Sequence, residues 1–89
     1  MFKKNDEEMI AEEARKKSAE AKETQFRKLV VDAWSSIKWE IESGRTRAIV
    51  WTFDAPGDVI IRVMKHFENM GYRVIRADDC ISIDWGEKK

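Results

Sequence analysis

One cysteine, one histidine and one proline are all that 89 residues provide, and each scarcity removes a class of chemistry. A lone Cys80 excludes an intramolecular disulfide and any zinc site built on paired cysteines. A lone His66 leaves no His-Glu-x-x-His helix, and the glycine-rich loops that cradle phosphates are missing as well. Neither sign of charge is in excess. The 17 Lys and Arg are matched by 17 Asp and Glu, which argues against a general nucleic-acid binder, whose footprint is basic. Long apolar runs are absent too: Ala48–Trp51, the longest, has four residues, against the roughly 20 that span a bilayer. Met1–Glu8 carry no apolar stretch of a secretory kind. The expectation is a reducing cytoplasm, with no membrane partner.

What is present suffices for one domain. Apolar residues make up 43% of the chain, too many for a fully disordered segment. Residues 3–28 are dominated by Glu, Lys, Arg and Ala without Gly or Pro, a helix-favouring mixture. Glu12–Lys16 and Glu13–Lys17 stand at the supportive i,i+4 spacing. Phe26, Leu29, Val30, Ala33, Ile37 and Ile41 then fall in a helical stripe, and Ser43-Gly44 supplies the stop. The reading is one helix from about Asp6 to Ser43, running roughly 55 Å. A compact domain of this length has a radius of gyration of only about 12 Å, so the charged first half must project or pair with another chain. Residues 1–25 are therefore a charged helical extension, 26–86 an α+β domain and 87–89 a polar tail.

Beyond Gly44 the pattern becomes extended. Thr46–Phe53 is rich in β-branched and aromatic residues, and Pro56-Gly57 opens a second helix. Val59, Ile60, Val63, Met64, Phe67 and Met70 mark its apolar face up to Gly71. Tyr72–Arg76 reads as a short strand, Ala77-Asp78-Asp79 as a turn, and Cys80–Trp85 as a cleanly alternating strand. The expected architecture is α+β: a long N-terminal helix, then β-α-β-β, in a three-stranded mixed sheet with helices packed on it. A right-handed crossover gives the first two strands one direction. Whether the third strand is central or at an edge is not fixed by the sequence; the middle is favoured, because Ile81, Ile83 and Trp85 form its strongly apolar face.

Three short passages carry a resemblance: Ser43-Gly44, Gly71-Tyr72-Arg73-Val74, and Ile81-Ser82-Ile83-Asp84-Trp85. Over about Phe26–Trp85 the chain resembles small tailed-phage accessory proteins, with a charged N-terminal helix and a Gly-Tyr-x-Val turn into a final strand. What the resemblance implies is context: a protein acting inside a bacterium by binding and blocking a host component, including nucleotide signals of anti-phage defence.

The residues themselves offer little catalysis. No base stands beside a nucleophile, Asp78 and Asp79 are ordinary turn residues, and no enzyme activity, cofactor or metal is expected. His66 lies beside the second helix's apolar stripe, and Cys80 lies on the strand face opposite Ile81 and Ile83, as a small buried or half-buried thiol. The surplus is in tryptophan and arginine, the residue types enriched at binding hot spots. Trp34 and Trp85 fit the core. Trp39 points about 160° away from the first helix's stripe, toward a self-interface or a target. Trp51 shares a strand face with Ile49 and Phe53, opposite Ala48 and Val50, and is either covered by a helix or used in binding. Arg45 and Arg47 open the first strand, while Arg73 and Arg76 flank the second. If the four gather on one side of the sheet, they suit phosphate or carboxylate capture; otherwise they guard the sheet edges.

The candidate ligand- or partner-binding residues are thus Arg45, Arg47, Trp51, Arg73 and Trp39. The expected function is that of a non-enzymatic, homo-oligomeric accessory protein that sequesters or blocks a host protein or a nucleotide-like ligand. A nucleic-acid-binding accessory role and a structural role in virion assembly are the alternatives.

Overall fold

The computed structural model describes residues 10–86. Helix α1 spans Ala11–Glu42, strand β1 Arg47–Trp51, helix α2 Gly57–Glu68, strand β2 Arg73–Arg76 and strand β3 Cys80–Asp84. The α+β class and the element order agree with the sequence reading. Ile10 has extended backbone and starts α1 at Ala11; the expected helical residues 6–9, and residues 87–89 of the tail, lie outside the described residues.

Both helices stop for the same backbone reason. Gly44 (φ 82°) and Gly71 (φ 98°) adopt left-handed conformations that residues with a Cβ resist. The N–H of Gly44 donates to the carbonyl of Ile41, and that of Arg45 to Glu40. At Gly71 the same double bond recurs, with Gly71 donating to Glu68 and Tyr72 to Phe67. These paired bonds satisfy the carbonyls that a helix end leaves open.

The sheet order is β1-β3-β2, with β3 in the centre. Ala48 faces Ile83 and Val50 faces Ile81 on one side of β3, while Val74 faces Ile83 on the other. Since β3 runs against both neighbours, β1 and β2 share a direction, as expected. They are not adjacent, however, so every pairing is antiparallel and the expected mixed sheet is corrected on this point.

One face of the sheet carries the core. Ala48, Val50, Ile81 and Ile83 are buried beneath Leu29, Ala33 and Ile37 of α1 and Val59, Ile60, Val63 and Phe67 of α2. Helix α1 lies over β1, α2 lies over β2, and the helices touch one another. Trp34, Phe67, Tyr72 and Trp85 form a chain of tilted and edge-to-face rings 5.1–6.1 Å apart, which places Trp34 and Trp85 against the core as read. Two residues of the expected stripes are exposed instead: Ile41 lies one turn beyond Ile37, the last buried residue of α1, and Met70 falls in the turn after α2.

Where α1 crosses α2, Lys22 pairs with Asp58 at 2.8 Å and Glu23 with Arg62 at 2.7 Å. Residues 11–21 extend beyond this crossing with exposed surfaces throughout except half-buried Ala14.

Candidate functional site

Alternation along a strand sends successive side chains to opposite faces. On β1 that puts Ala48 and Val50 into the core and Arg47, Ile49 and Trp51 on the other side. On β2, Arg73 and Ile75 share that second face. No described element covers it. Trp51 is 55% exposed, Phe53 66% and Ile75 68%, and Ile49 is exposed as well. The covering helix that was one reading of Trp51 is not found among the described residues, because α1 and α2 are used on the opposite face. Trp51 and Phe53 stack with ring centres 5.5 Å apart and planes 3° from parallel.

The register sorts this face into rows. Ile49, Ser82 and Ile75 are cross-strand neighbours, as are Arg47, Asp84 and Arg73. In the second row Asp84 sits between two guanidinium groups, 3.3 Å from Arg73 and 3.8 Å from Arg47. The backbone N–H of Gly86 also donates to it at 2.8 Å. That hydrogen bond first, and then the charge of Arg73, hold the Asp84 carboxyl below its ordinary pKa. A Cβ at Gly86 would meet the Thr46 hydroxyl at 2.9 Å and an Asp84 carboxylate oxygen at 3.3 Å, so the exposed Thr46 side chain would have to turn away.

Of the residues expected to bind, Arg47, Trp51 and Arg73 do share this face. The gathering of four arginines does not occur. Arg45 turns back to Glu40 at 3.0 Å. Arg76 pairs in register with Ile81 on the core side of the sheet, where only the strand end leaves it exposed. Trp39 stands apart on the flank of α1, 67% exposed, beside Arg47 and Ile49 at the outer edge of β1. Phe53 and Ile75 were not among the expected binding residues. Ile75 had a sequence signal, its alternation with Val74, but only the missing cover gives it meaning.

The remaining polar residues are accounted for by packing. His66 is half-buried between Phe26 and Phe67, in edge contact with both rings. Cys80 is half-buried opposite Trp51. Among the described residues no three His, Cys, Asp or Glu side chains converge as a metal site would need, and no helix is long and apolar enough to cross a membrane. No family model, curated protein or solved structure matches this chain.

Proposed function

We propose that this protein is a non-catalytic binding module that captures a protein target on the uncovered face of its sheet and acts by sequestering or blocking it. The observation that carries this reading is the exposure of Ile49, Trp51 and Ile75 on one face of a small sheet, with Phe53 stacked on Trp51 just beyond the strand. Contiguous apolar surface rimmed by charge is how interaction sites differ from scattered exposed side chains. Trp51 and Phe53 are each more than half exposed. Together they offer about 250 Å², roughly a third of the ~800 Å² per partner that a standard interface buries. The phage-type context, in which the target is a host protein, is compatible with this chemistry.

A nucleotide-like ligand is less well served. Arg47 and Arg73 already hold Asp84, and Arg45 holds Glu40. Along the strand Trp51 lies four residues, about 13 Å, from Arg47, too far for one small ligand to use both closely. The equal charge totals likewise work against nucleic acid. Homo-oligomerisation uses the same kind of surface and differs in being visible without a target.

The test is a photo-crosslinking amino acid placed at Ile75 on the open face, and separately at Ile61, an exposed position of α2. Expressed in bacteria, the variant at position 75 should yield discrete protein adducts that Trp51→Ser suppresses, with the target otherwise chemically unchanged. Equal labelling from both positions, or a target recovered in altered form, would overturn the reading.

A further inference from the structure

We infer that the open edge of β1 receives an extended acidic–apolar segment of the partner protein, which adds to the sheet as a fourth strand antiparallel to β1. This deepens the protein-capture reading and rests on it.

The backbone is the first ground. Trp85 donates to the carbonyl of Thr46, and Thr52 donates to that of Asp79. These two bonds flank the β1–β3 ladder and show that even-numbered residues of β1 pair with β3. Antiparallel alternation then turns the N–H and C=O groups of Arg47, Ile49 and Trp51 toward the outer edge. Among the described residues no strand pairs there. Residues 47–51 contain no Pro or bulge of the kind that natural edges use to repel another strand, and Arg47 is their single charged side chain.

Width is the second. Strands lie about 4.8 Å apart, so β1 and β2, separated by β3, are about 9.6 Å apart. Helices pack 8–10 Å apart, so α1 over β1 and α2 over β2 is the natural fit, and the outer half of α1 overhangs the edge. Beneath this overhang the structure has adjoining hollows. One, of about 330 Å³, lies between Asp32, Ser35 and Ser36 of α1 and Ile49, Val50 and Trp51 of β1. The next, of about 320 Å³, continues to Trp39 and Arg47. Ser35 and Ser36 keep the roof low in bulk, leaving room for small β-branched side chains.

Charge is the third, and it defines the occupant. The row Arg73–Asp84–Arg47 alternates in sign and ends on a cation at the open edge. The Arg47 side chain is 65% exposed, and among the described residues it pairs with Asp84 alone, at 3.8 Å. An acidic residue in the fourth strand continues the alternation. Its neighbours two positions along meet Ile49 and then Trp51, which call for an aliphatic and an aromatic side chain. A second copy of β1 does not fit: it would bring its own α1 to within about 4.8 Å of this one, roughly half the distance that helices need.

The probe is a fluorescein-labelled synthetic peptide, Thr-Phe-Thr-Val-Thr-Glu-Thr, titrated with the full chain and read by anisotropy. In the antiparallel register Glu meets Arg47, Val meets Ile49 and Phe meets Trp51. Saturable binding is expected, weakened more than about tenfold by N-methylation of the Val, whose N–H faces β1. N-methylation of the Thr preceding the Val, whose N–H faces away, should change it less than about twofold. Arg47→Glu should weaken binding about threefold to fivefold, and a peptide with Lys in place of Glu should restore it. Arg47→Gln serves if Arg47→Glu loses its native circular dichroism. Equal effects of the two N-methylations, or no binding at about 1 mM, would overturn strand addition. So would a dimer of the protein that the peptide disperses, since the edge then belongs to a second copy. Crosslinking from Ile75 is a separate readout, so strand addition can fail while protein capture on the open face stands.

Discussion

Ile83 and Ile75 carry the same side chain on opposite faces of one sheet, and truncating each to Ala weighs the two faces against each other. Ile83 lies in the central strand with none of its surface exposed, whereas Ile75 is 68% exposed. The substitution removes three carbons, worth about 2.4 kcal/mol of transfer free energy at ~0.8 kcal/mol for each buried carbon. At position 83 the void left beneath the helices adds up to about 2 kcal/mol more, so the total cost is about 2.5–4.5 kcal/mol. At position 75 only about a third of the transfer contribution is at stake and no cavity forms, so the cost is about 0.8 kcal/mol. A domain of this size has about 4–11 kcal/mol in all, so Ile83→Ala should remove a large share of it. Urea denaturation at two protein concentrations, followed by far-ultraviolet circular dichroism, measures both values. Comparable losses at the two positions would refute the uncovered face. If the denaturation midpoint of the parent protein also rose with concentration, a second copy would be the cover, and the assembly expected from sequence would be shown to lie there.

Further outcomes follow from local features. Glu23, Asp58 and Asp84 are held below their ordinary pKa values by hydrogen bonds from Arg62, Lys22 and the Gly86 backbone respectively. The stability they contribute is complete above the unfolded carboxylate values and is lost as pH falls through the lower native ones, so acid titration should show a decline beginning below about pH 4. A decline starting near neutrality would point to another group. Gly44→Ala forces a Cβ into a left-handed turn (φ 82°) with no neighbour within 4 Å, and calorimetry should register a loss of about 1–2 kcal/mol from backbone strain alone. Removing residues 1–20 takes away only the part of the chain before the Lys22–Asp58 crossing. The melting temperature should move by less than about 4 °C, and a larger drop would mean that the extension packs on another chain.

Much of the candidate site could be read from residue order. The period of two along Arg47–Phe53 already separated Ile49, Trp51 and Phe53 from Ala48 and Val50. The helical period of α1 already set Trp39 apart from the stripe that ends, in the structure, at Ile37. The arginines were less legible. Their positions at strand ends were evident, but whether they converged depended on which residue of β3 each would face. Register brought Arg47 and Arg73 to the same Asp84 and so turned two prospective anion ligands into partners of an internal carboxylate.

The sequence by itself determined the elements and their order, because periodicity, glycine stops and β-branched composition act over a few residues. The apolar run Ile81, Ile83 and Trp85 favoured the centre for the third strand, but the order β1-β3-β2 was fixed only by the pairing itself. Tertiary structure alone decided that two helices would share one face of the sheet and leave the other open. A strand with two apolar faces demands cover on both, yet nothing within that strand records how many helices the rest of the chain can supply. Here α1 and α2 pack on each other through Trp34 and Phe67, which commits both to the same side. The exposure of Trp51, Phe53 and Ile75, and the open edge beneath α1, are consequences of that helix pairing.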